Sequence, residues 1–111
     1  MVSANLNLLI EAGTDFSKSF RLIARAGIVD LTDWVFASQV RALPGGTVIA
    51  DFDTSVSEDG TIASISLDHE TTAALAAGRY LWDLFGIDPD GKRDRIFEGQ
   101  CTVQSRITVY V

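Results

Sequence analysis

Apolar and polar residues alternate with a period of two along most of this chain, and turn residues interrupt the alternation about every ten positions. Asn5 to Glu11 reads as a first strand, ended by Gly13. From Asp15 to Ile23, Phe16, Phe20 and Leu22 share one face while Ser17, Ser19 and Arg21 share the other. Ala26-Gly27 marks a turn. Val29 to Trp34 reads as a short helical or 3₁₀ ledge leading into strand three. There Trp34, Phe36, Ser38 and Val40 alternate with Val35, Ala37, Gln39 and Arg41. Pro44-Gly45-Gly46 stops that strand. Thr47 to Ser55 is strand four, with Val48, Ala50 and Phe52 inward. Glu58-Asp59-Gly60 turns the chain into strand five, Thr61 to Leu67. The pattern predicts an all-β sandwich or barrel.

One short helix interrupts the strands. Asp68 is placed as its N-cap and Glu70 favours its first turn. The helix is expected to run through Thr71 to Ala77, held by Leu75, with Gly78 as its left-handed C-terminal residue. Arg79 to Ile87 is strand six and Arg93 to Val103 strand seven. Asp88-Pro89-Asp90-Gly91 suits a type I turn, whose usual product is a three-residue loop with a bulge. The apolar pattern prefers a four-residue loop, pairing Trp82 with Gly99 and Leu84 with Phe97. A one-residue slip would turn Glu98 into the core. Arg106 to Val111 is a last short strand.

Length and composition fit one domain over residues 1–111. The formal charge of −6, with nine scattered basic residues, argues against nucleic acid or an anionic membrane as partner. The Lys92-Arg93…Arg95 group is interrupted by Asp94 and reads as a solvated hairpin end. The start shows no basic signal region, and Leu8-Leu9-Ile10 is far too short to span a bilayer. A single cysteine, Cys101, forms no intrachain disulfide, which fits a reducing compartment.

Candidate chemistry is sparse. Cys101 alternates with Gly99 and Val103 and reads as a small core residue. His69 is the single histidine and reads as a solvated residue of the helix's first turn. Asp51 and Asp53 put two carboxylates on one strand face, a pattern that metal sites use but that water-facing strands also show. Asp88 to Gly91 lacks the ligand spacing of a calcium loop. No nucleotide-binding or hydrolase motif is present, so neither catalytic residues, cofactor nor metal is expected. Leu81, Phe85 and Ile87 point opposite to Tyr80, Trp82 and Leu84, with Ile96 on the same outer side. Either the N-terminal strand or the Val29–Trp34 ledge covers them, or they form a partner surface. The uncharged strand Ile107-Thr108-Val109-Tyr110-Val111 is a second candidate for pairing with another chain. The expected interface is therefore Leu81, Phe85, Ile96, Ile107, Val109 and Val111, serving a homo-oligomer.

Leu75-Ala76-Ala77-Gly78-Arg79-Tyr80 resembles the tyrosine corner of immunoglobulin-like sandwiches, in which a buried Tyr hydroxyl bonds to backbone upstream. The fold expected is an immunoglobulin-like two-sheet antiparallel sandwich of seven or eight strands. Further segments resemble, in order, a domain recurrent in tailed-bacteriophage structural proteins. They are Asp15-Phe16-Ser17-Lys18-Ser19-Phe20 and Val29-Asp30-Leu31-Thr32-Asp33-Trp34…Gln39-Val40-Arg41, with Asp33 where glycine is common. Gly60-Thr61-Ile62 to Leu67, the corner itself, Asp88 to Gly91, and Phe97 to Val103 complete the order. The resemblance covers most of residues 13–104 and points to the sandwich domain of siphophage tail-fibre attachment (collar) and baseplate upper proteins. It implies a multi-copy structural role in the tail, baseplate or head–tail region. It places the chain in a virion made in the bacterial host cytoplasm, with copies of itself or neighbouring tail proteins as partners. It supplies no catalytic residue. The alternative is an immunoglobulin-like binding module for carbohydrate or a host surface.

Overall fold

The structure is a computed structural model that describes residues 4–25 and 27–105. The strands are β1 (Ala4–Asn5), β2 (Leu8–Glu11), β3 (Phe16–Phe20), β4 (Ile23–Ala24), β5 (Gly27–Ile28), β6 (Val35–Arg41), β7 (Val48–Asp51), β8 (Asp53–Val56) and β9 (Ala63–Leu67). Helix α1 (His69–Ala73) follows, then β10 (Gly78–Ile87) and β11 (Arg93–Gln104). The expected strand Arg106–Val111, with Ile107, Val109 and Val111, lies outside the described residues.

Two sheets form the sandwich. The larger has six strands in the order β1-β11-β10-β6-β7, with β2 also pairing β11. The smaller has the order β3-β9-β8. A separate two-stranded piece, β4-β5, projects between β3 and β6 in sequence. This is an immunoglobulin-like arrangement in which the N-terminal strands run parallel to β11 rather than antiparallel.

The breaks in the strands have physical causes. The expected first strand divides at Leu6-Asn7. The Leu6 carbonyl accepts the Trp82 indole N–H at 2.7 Å, and Asn7 Oδ1 accepts the Gln100 backbone N–H at 3.0 Å. The expected fourth strand divides at Phe52. Before it the chain pairs with β6, and after it with β9. The Phe52 N–H donates to Ser38 O at 2.9 Å at that crossing, and its ring is buried. The expected second strand ends at Phe20, because Ile23 pairs instead with Ile28 across the small hairpin.

Both sheets meet on a continuous line of rings. Phe16 packs on Phe52, Phe52 on Trp82, Trp82 on Phe97, Phe97 on Phe20, Phe20 on Phe36, and Phe36 on Trp34. Centroid separations run from 5.3 Å for Phe20–Phe97 to 6.4 Å for Trp82–Phe97. Such spacings fall in the favourable range for aromatic pairs. Ile10, Leu31, Val40, Ile65, Leu84 and Cys101 fill the core around them.

The hairpin between β10 and β11 satisfies both of the competing sequence signals. The loop is the three-residue Pro89-Asp90-Gly91, closed by Asp88 N–H to Lys92 O at 3.0 Å, with Gly91 at φ +86°. The four-residue loop expected from the apolar pattern is thus corrected. The pairs Trp82–Gly99 and Leu84–Phe97 nevertheless form. A register shift between Leu84 and Phe85 reconciles them, leaving Ile96 as the extra, bulged residue. The bulge turns Ile96 inward, where it is 3% exposed. It lies with Trp34 over Gly86, where a Cβ would sit 2.7 Å from Ile96 Cδ1. Ile96 is therefore core, and its expected place on the outer face is overturned.

Candidate functional site

The corner is built as the sequence suggests, with different particulars. Tyr80 Oη donates to Ala76 O at 2.7 Å. Tyr80 is half-buried rather than buried. The helix is shorter than expected and ends with Ala74 as its C-cap, in right-handed conformation. Gly78 is accordingly the first residue of β10, at φ +156°, paired with Val103. Asp68 caps the helix by accepting the Thr71 N–H at 2.8 Å. Thr72, 0% exposed, anchors it, and Leu75 packs against the core just past the helix end. Its hydroxyl donates to Thr14 O at 2.7 Å and accepts the Gly13 N–H at 3.0 Å.

The Val29–Trp34 ledge is a turn rather than a helix. Leu31 is buried completely, and its N–H donates to Gly60 O at 2.7 Å. Asp33 adopts φ +67°, a left-handed conformation that glycine accepts more easily. Hydrogen bonds from the Thr32 hydroxyl and from its backbone N–H, the latter 2.9 Å from Asp30 Oδ1, hold the Asp30 carboxyl below its usual range. Asp59 in the β8–β9 turn takes hydrogen bonds from Ser57 and Thr61 and is lowered to about 2.

The residues with chemical potential do not converge. Cys101 is buried on β11, and burial pushes its thiol up to about 11. That disfavours the thiolate a nucleophile needs. His69 is exposed on α1 and bonds Asp15 Oδ1 through both its backbone N–H and Nδ1, at 2.7 and 3.0 Å. Asp51 and Asp53 are exposed on strands of different sheets, and Asp51 accepts from Gln39 Nε2 at 2.7 Å. Among the described residues, no three His, Cys, Asp or Glu side chains come together as a metal site.

Among the described residues, a groove of about 770 Å³ lies on the outer face of the larger sheet. Its floor includes Ala37 of β6 and Leu81 of β10. The 43–45 loop forms one wall, and Phe85, Arg95 and Glu98 stand opposite. Arg41 fixes the loop by donating to Gly46 O and to Gln39 Oε1. Arg95 lies 5.4 Å from the Phe85 ring centroid and pairs with Asp83 at 3.5 Å and Glu98 at 3.0 Å. Partial burial raises the Asp83 carboxyl, and Arg95 and Arg41 oppose that rise. Leu81 is 37% exposed and Phe85 half-buried under Arg95. The N-terminal strands lie beside β11, and Asn5 and Asn7 join the lining of the groove at that side. Sequence patterning places Leu81 and Phe85 here. It misses the groove, because the wall arises from loop geometry after Arg41.

No family model matches the sequence, and a search of curated proteins finds no match. Solved structures give structural likenesses at low sequence identity. CopC from Methylosinus trichosporium OB3b superposes with a TM-score of 0.50 at 11% identity, over 93% of this chain and 90% of that one. A family 123 glycoside hydrolase from Clostridium perfringens gives 0.41 at 13% identity, over 92% of this chain and 23% of that one. At 11% identity the likeness to CopC is one of fold alone, and with the two sheets it makes this chain an immunoglobulin-like β-sandwich protein.

Proposed function

We propose that this chain is a non-enzymatic structural protein of a tailed-bacteriophage or prophage virion. It acts in the tail, baseplate or head–tail region, by multimeric assembly or by bridging tail and fibre. Its partners are copies of itself or neighbouring tail proteins, and it is made in the host cytoplasm. The observation that carries this reading is the Val29–Trp34 segment, whose sequence resembles the phage motif. Its Asp33, standing where that motif commonly has glycine, takes the left-handed backbone that would explain a glycine preference. The exposed face around Leu81 gives such a protein a surface to assemble through.

The alternative, a carbohydrate-binding module, draws less support. Sugar recognition favours exposed aromatic platforms. Here Trp82 is buried, Trp34 packs on the core, and Arg95 covers Phe85. The test is mass spectrometry of purified virions from the host that carries this gene. The chain is expected at multiple copies per particle, co-purifying with tail proteins. Its absence from intact particles would overturn the reading.

A further inference from the structure

The two outer faces of the sandwich differ in chemistry. The smaller sheet shows solvent two cross-strand rows, Ser17–Ser66–Asp53 and Ser19–Ser64–Ser55. They carry five hydroxyls and one carboxylate, and the Ser19 and Ser64 hydroxyls share a hydrogen bond of 2.8 Å. The larger sheet is the opposite. Among the described residues, seven large apolar side chains are exposed. Leu9, Val35, Ile49 and Leu81 belong to strands of the larger sheet, and Leu43 stands in the loop that walls its groove. The other two, Ile23 and Ile28, lie on the β4–β5 hairpin. A monomer seldom gathers its exposed apolar residues on one sheet face unless that face is covered.

Charge singles out the same face. By strand alternation Arg41, Arg79, Arg93 and Arg95 point outward from the larger sheet. Glu11, Asp51, Asp83 and Glu98 do so too. Asp94, paired with Gly86, alternates to the other side. The face is therefore neutral. Setting these eight aside leaves five basic and eleven acidic residues, so the formal charge of −6 lies entirely off it. Two copies repel through the rest of their surface and not through this face. Charges on it are also satisfied within the molecule. Arg95 pairs with Asp83 and Glu98, and Gln39 donates to Asp51. Such a face needs no oppositely charged partner, and it is where a second acidic copy can approach. Its size fits as well. Five strand rows about 4.8 Å apart, each about seven residues of ~3.3 Å, span roughly 500 Å² in projection. Side chains and groove walls raise that toward a standard interface of about 800 Å² per partner.

We propose that the outer face of the larger sheet is a two-fold homodimer interface, one copy's face laid on the other's. This rests on the assembly reading above and adds the partner and the symmetry. The relief of the face supplies the fit. The 43–45 loop stands beside the groove floored by Ala37 and Leu81, and Leu43 on that loop is 68% exposed. A two-fold axis between ridge and groove seats each Leu43 in the partner's groove. One patch meeting its own copy is an isologous contact, so the assembly closes at two.

Sedimentation of the full chain over a concentration series tests this. The parent should reach dimer mass and grow no further. Raising salt should leave the dimer intact or tighten it, because screening removes the repulsion between two acidic bodies. Leu43→Asp and Ala37→Glu, both at exposed positions, should each weaken association about tenfold or more, since each buries a charge in the contact. Ile23→Asp on the hairpin should dimerise like the parent. Near-ultraviolet circular dichroism checks that each variant is folded. A monomeric parent, growth past two copies, association that falls as salt rises, or a Leu43→Asp dimer as tight as the parent's would each overturn the proposal. So would a parent that stays monomeric until a neighbouring tail protein is added and then binds it through Leu43, which would give the face a different occupant. A dimer formed by a chain absent from virions would remove the virion role and leave this interface standing. A monomeric chain present in virions would do the reverse.

Discussion

Tyr80 shows how much a single residue reveals and conceals. Its hydroxyl reaches Ala76 O across four residues, the bond expected of the corner. The side chain is half-buried, so water replaces much of a lost bond. Tyr80→Phe should therefore cost about 0.5–1.5 kcal/mol, the range of an ordinary net hydrogen bond, rather than the penalty of a buried orphan carbonyl. Thermal melts measure it, and equal midpoints would show that the bond contributes nothing. His69 gives a second residue-scale test. Its bond to Asp15 raises its pKa above 6.5 and lowers that of Asp15 below 3.8. The histidine's contribution is complete below 6.5 and is lost as pH rises through the raised folded value. The aspartate's is complete above 3.8 and is lost as pH falls through the lowered folded value. Both groups are solvent-exposed, so the effect on global stability is small. An NMR titration of His69 should report a pKa above 6.5 that falls back toward it in Asp15→Asn. An unchanged value would mean that the pair does not form in solution. The sequence shows His69 as a first-turn residue, but its partner lies 54 positions away, beyond any local pattern.

At the scale of elements, alternation identifies the strands and which face is buried. Phe36, Ser38 and Val40, or Trp82 and Leu84, lie inward as their spacing implies. What alternation cannot show is where a strand changes partner without changing direction. Phe52 continues the same extended run while the chain passes from one sheet to the other. Ile96 was illegible for a related reason. A bulge adds one residue and reverses the face of its neighbour, and the turn and core signals are both satisfied only if it is there. Gly99 marks a similar hidden constraint. A Cβ there would run into the Leu6 carbonyl, the atom that also accepts the Trp82 indole. Gly99→Ala should thus displace the link between β1 and β2 and cost about 1–3 kcal/mol, as overpacking does. Urea unfolding tests this, and Trp82 fluorescence should shift as its hydrogen bond weakens. Parental stability with an unshifted spectrum would show that the chain yields there without strain.

For the molecule as a whole, the fold is far more legible than the function. Turn spacing, the corner and the inward rings all specify a sandwich. The groove, by contrast, depends on a loop folding over a sheet face, and the projecting hairpin depends on Ile23 leaving a strand that its apolar pattern extends. Neither has a short-range signature. What makes the two sheets one unit is the line of seven rings from Phe16 to Trp34. Phe20 is its joint. It comes from the smaller sheet and touches Phe36 and Phe97 of the larger one. A buried Phe→Ala change typically costs about 3–5 kcal/mol, and half-buried Phe20 should fall at or below the lower end. Domains of this size have about 5–15 kcal/mol in total, so Phe20→Ala should lower the melting midpoint substantially. The transition should remain single, because the four ring contacts that do not involve Phe20 and the aliphatic core still tie the sheets together in part. Calorimetry decides this. Two resolved transitions in the variant would show that Phe20 alone couples the sheets, and an unchanged midpoint would show that the ring line carries little of the stability.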